Sequence, residues 1–68
     1  MFIVIEIQTN AEGASSTLVT GFDKLESAQS KYHAVLAAAA ISSVPVHAAV
    51  LITNTGDKLA SEFYRHDA

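Results

Sequence analysis

Three histidines, His33, His47 and His66, are the side chains best suited to proton or metal chemistry near neutral pH. With Glu6, Glu62 and Asp67 they could supply nitrogen and oxygen ligands to a metal. Their spacing argues against it. There is no HxH, no HExxH and no other ligand pair at a dependable interval, so scattered surface or interface histidines are the expectation. Glu6 and His47 can meet if their strands lie side by side. They would then form either an acid–base couple or a polar pair satisfied within an interface, and the second is the expected role. The serines fall in loop and helix-surface positions with no strained elbow around any of them. Gly13, Gly21 and Gly56 are dispersed and make no phosphate loop. No catalytic residue, metal or cofactor is expected, and the chain is not expected to be an enzyme.

Two aromatic clusters could hold a ligand. Tyr32-His33 and Tyr64-Arg65-His66 combine rings that stack on bases with a guanidinium that grips phosphate. Tyr32, His33, Arg65 and His66 are therefore the candidate ligand-binding positions. The competing reading puts Tyr32 in a helix core stripe and leaves the last residues as a solvated end.

The whole chain has 68 residues, enough for one domain over residues 1–68. So short a chain buries only about 60% of its unfolded surface, and such scaffolds need a further source of stability. Cysteine is absent, which removes disulfides and thiolate metal sites. Half the residues are hydrophobic and the mean hydropathy is +0.29. Oligomerisation is the expected remedy. The formal net charge is −3, and Lys24, Lys31, Lys58 and Arg65 make no basic stripe, so DNA and RNA are not expected partners. Residues 32–56 hold no charged side chain, yet Ser42, Ser43, Pro45 and His47 interrupt them. Neither a membrane span nor a signal peptide is read here, and the expected compartment is the cytoplasm.

The stretch Phe2–Thr9, apolar on both faces and rich in β-branched residues, reads as a central strand. Residues 10–15 suit a hairpin loop, and residues 17–22 a polar edge strand. Asp23 and Glu26 read as a capping box opening a helix over 25–40. Leu25, Ala28, Tyr32, Val35, Leu36 and Ala39 form its apolar stripe. Pro45 ends it, Val46–Thr53 is a second central strand, Asn54-Thr55-Gly56-Asp57 a turn, and residues 58–66 a second edge.

The predicted architecture is an α+β, ββαββ two-layer sandwich. Its four-stranded antiparallel sheet has the order 2-1-3-4, with one helix on one face. Alternation divides each strand between two faces. Ile3, Ile5 and Ile7, with Val46, Ala48, Val50 and Ile52, are expected under the helix because they form the more continuous apolar set. Phe2, Val4, Glu6, Gln8, His47, Ala49, Leu51 and Tyr64 then make the open face, expected to be an interface with a second copy. The row Ser30, Ala34 and Ala38 on the helix exterior is the alternative contact.

The stretches MFIVIEIQTN, FDKLESAQSKYH and AAAAISSVPVHAAVLIT resemble a group of uncharacterised very small proteins of Gram-positive anaerobe prophages and mobile elements. The resemblance implies an accessory role and supplies no functional residues. The expected function is a non-enzymatic, homo-oligomeric binding module, a phage or mobile-element accessory protein. Two alternatives remain open. One is a counter-defence sponge that captures a small cyclic or adenine-containing nucleotide between subunits; the other is an inhibitor that targets a host protein.

Overall fold

A computed structural model describes residues 1–66. The chain forms β1 (Phe2–Thr9), β2 (Ser15–Phe22), α1 (Leu25–Ile41), β3 (Val46–Thr53) and β4 (Lys58–Arg65). The strands make one antiparallel sheet in the order β2-β1-β3-β4, and α1 packs on one face of it. The α+β, ββαββ expectation is met. The apolar strands β1 and β3 take the centre, paired along both edges, and the polar strands take the outer positions.

Two turns fix the register. In the first, the Asn10 side-chain oxygen accepts the N–H groups of Glu12 and Ala14, and Gly13 sits at φ +86°. In the second, Gly56 at φ +94° donates its N–H to the Thr53 carbonyl. The bonds that close the ladders also set their phase. Asn10 N–H donates to Ala14 O at one end of β1, and Asn54 N–H donates to Met1 O at the other. Antiparallel pairs alternate between bonded and non-bonded. The even-numbered amides of β1 therefore point to β2 and the odd-numbered ones to β3.

The helix starts differently from expectation. Its N-cap is Lys24, extended at φ −111° and ψ 138°, and no side chain caps it. Asp23 lies one residue too early, because the bridge from Phe22 to Leu25 needs both Asp23 and Lys24 outside the helix. Glu26 consequently falls in the first turn, where it complements the helix dipole. At the other end Ser42 donates its N–H to Ala39 O, while its hydroxyl accepts the Val44 N–H.

The core corrects the assignment of faces. Val4, Ala49 and Leu51 are buried against Ala28, Tyr32 and Val35 of α1, with Phe2, Phe22, Leu36 and Ala60 packed around them. Ile3, Ile5 and Ile7 pair with Ile52, Val50 and Ala48 on the opposite face, which no element covers. The covered face packs closely. Ala28, Ala39 and Ala49 are all fully buried, so small side chains let the helix approach the sheet on the Ala49 side. Continuity of apolar residues, the basis of the expectation, measures greasiness and not fit.

Candidate functional site

The polar residues expected on an open face lie instead between sheet and helix. Glu6 pairs with Ala49 and Gln8 with His47 across β1 and β3, so the Glu6 and His47 side chains meet diagonally on one face. His47 Nε2 lies 2.5 Å from Glu6 Oε2, and Gln8 Nε2 donates to the same oxygen at 3.3 Å. The His47 side chain is 5% exposed and that of Glu6 17%. The hydrogen bond from His47 holds the Glu6 carboxyl below its ordinary pKa, against the opposing effect of burial, with smaller help from Gln8 and Lys31. His47 Nδ1 has no partner among the described residues. Glu6 and His47 thus form a polar pair inside one subunit, facing the helix, where the expectation placed them at an interface between copies.

The four candidate ligand positions do not converge. Tyr32 is buried in the core with its ring edge-on to His33, centroids 5.5 Å apart. Burial, with the charge of Glu62, pushes the Tyr32 phenol up, so it stays neutral. Arg65 pairs with Val46 and so belongs to the uncovered face. His66 is committed elsewhere. Its Nε2–H donates to Ala39 O at 2.7 Å and ties the end of β4 to the last turn of the helix. Tyr64 stacks on His66 at 6.4 Å, beside His47 on the helix side.

Tyr32 and His33 do share a cleft of about 290 Å³ with Leu25, Gln29, Leu51, Leu59 and Ala60. A β-bulge opens it. Ile52 pairs with Lys58 and Leu51 with Ala60, so Leu59 is the extra residue, and it joins Ala60 in the wall of the cleft. Gln29 and Leu59 were not anticipated, since no local signal in residues 58–60 marks the bulge.

The uncovered sheet face is a further surface that the chain's own packing leaves unexplained. Its centre is Ile3, Ile5, Ile7, Val50 and Ile52, each only half-buried, flanked by Val19 and Phe63, which are 60% and 56% exposed. Met1 extends over Gly21 on the same side, its methyl 2.9 Å from where a Cβ would stand. Among the described residues, charge enters this face along the β4 edge, at Lys58 and Arg65.

Among the described residues no group of three His, Asp or Glu could hold a metal ion, and Asp67 lies outside the described residues. No described helix is long and apolar enough to cross a membrane. Comparison with known proteins found no matching family model, no similar curated protein and no similar solved structure.

Proposed function

We propose that this chain is a non-enzymatic binding module that works as a homo-oligomer, its subunits meeting through the uncovered face of the sheet. The observation that carries this reading is the run of Ile3, Ile5 and Ile7 beside Val50 and Ile52, apolar and left open by the chain's own helix. A contiguous patch of this kind marks an interaction site. Four strands of eight residues present about 19 × 26 Å, so two stacked copies bury on the order of 1,000 Å², the threshold for a specific interface. The resemblance to small mobile-element proteins supplies the accessory setting. Native mass spectrometry of protein purified from cells tests the reading, because it reports subunit number and any retained small molecule together. A bare single-subunit mass at micromolar concentration contradicts it.

The cleft between α1 and β4 favours a second reading, capture of a small nucleotide or related heteroaromatic molecule. Tyr32 and Leu51 give it an apolar floor, and Gln29 and His33 give it polar groups. That composition suits a planar base. A ligand at 100 times its Kd stabilises the fold by about 2.7 kcal/mol. A nucleotide panel that leaves the melting temperature unmoved removes this reading.

A further inference from the structure

The two edges of the sheet are not equivalent. On β2, the phase set by the Asn10–Ala14 bond turns the backbone groups of Ser16, Leu18 and Thr20 toward β1. The N–H and C=O groups of Ser15, Thr17, Val19 and Gly21 therefore point outward. Nothing guards them. All eight β2 residues pair in regular register with β1, without a bulge, and the strand holds neither a charge nor a proline. Leu18 is 58% exposed on the helix side and Val19 60% exposed on the other.

The β4 edge carries the devices that β2 lacks. It is bulged at Leu59 and charged at Lys58, Glu62 and Arg65. Its outward Phe63 N–H also has an acceptor already, the Glu62 carboxylate at 3.4 Å. These features blunt an edge against pairing, so their restriction to one side is informative.

We infer that β2 pairs antiparallel with β2 of a second copy across a two-fold axis at Leu18, extending the sheet to eight strands. That register uses all four outward residues, Ser15 against Gly21 and Thr17 against Val19, and sets the two Leu18 side chains against each other. Self-pairing brings no like charges together, because Ser15–Phe22 is uncharged. The contact is independent of the face-to-face one proposed above. Its two-fold is perpendicular to the sheet and that of the stacked faces lies parallel to it, so both together close at four subunits.

The chain has no cysteine, so single replacements report the register. Leu18→Cys brings two thiols to a directly opposed, non-bonded pair and gives a covalent dimer on mild oxidation. Ser16→Cys, two residues away on the same face, opposes Thr20 of the other copy and stays uncrosslinked. Val19→Pro removes an outward N–H without touching the ladder to β1, and halves the assembled mass. The cross-link persists in Leu18→Cys combined with Ile5→Lys, which disrupts only the stacked faces. The proposal is overturned if Leu18→Cys stays single-chained, if Ser16→Cys links equally well, if folded Val19→Pro keeps the wild-type mass, or if Ile5→Lys abolishes the link.

Discussion

Glu6 is the one carboxylate among the isoleucines of β1, and its environment makes a definite pH prediction. Its pKa lies below the ordinary 4.5 in the folded chain because His47 and Gln8 hydrogen-bond the charged form. A depressed carboxyl pKa stabilises the fold above the unfolded value, and that contribution disappears as pH falls through the folded value. Wild-type protein should thus lose melting temperature on acidification below about pH 4.5. Glu6→Gln should flatten that loss and, at neutral pH, cost about 1–3 kcal/mol, since it weakens a hydrogen bond in a covered place. Thermal melts of both proteins across the acid range check this; parallel curves contradict it. Leu51 makes a second residue-scale prediction. It is 2% exposed beneath the helix, and Leu51→Ala should cost about 2–5 kcal/mol, read as a shift in urea midpoint. The need for a partner at Glu6 was legible in sequence, because a carboxylate in an apolar run demands one. What covers it was not, because residue type does not say which face the helix takes.

At the scale of elements, the strands, the helix and their order were readable from β-branched runs, three-four spacing and turn residues. The Val46–Thr53 strand begins and ends where the sequence placed it. Ser15 and Ser16 look like loop in the sequence but belong to β2, because Asn10 closes the turn with its own side chain and leaves them free to pair. The reversed faces trace to that same turn. Once Asn10–Ala14 directs the even-numbered amides of β1 to β2, the handedness of an L-chain fixes the face each side chain takes. A right-handed crossover through α1 then covers the even-numbered set. Sequence alternation gives two faces, and only the turn's hydrogen bonds say which is which. The uncapped helix start carries its own prediction. Lys24→Asp places an acceptor at the N-cap and should stabilise the fold by about 0.5–2 kcal/mol, seen as a raised melting temperature. An unchanged melt would show that the start of α1 lies elsewhere.

For the whole molecule the controlling fact is size. One helix over a four-stranded sheet makes two layers, and a domain of this length hides too little apolar surface on one side of its sheet to be generously stable. A third layer is what such a sheet lacks, and on the proposed reading a second copy would supply it. The helix exterior, with Ser30, Ala34 and Ala38, is less apolar and belongs to an element that folds well in solvent. Sedimentation equilibrium over a concentration series, run on wild type, Ile5→Lys and Ala34→Lys, discriminates between the two surfaces. Ile5 stands at the centre of the uncovered face, between Val19 and Val50. An unpaired ammonium buried there costs several kcal/mol, so association should weaken by two orders of magnitude or more, at about 1.4 kcal/mol per tenfold. Wild type and Ala34→Lys should associate alike, and Ile5→Lys should remain folded with the face-to-face association lost and only the β2 edge contact left. A wild-type protein that sediments as a single chain, or an Ile5→Lys variant that associates as tightly as wild type, would contradict the account.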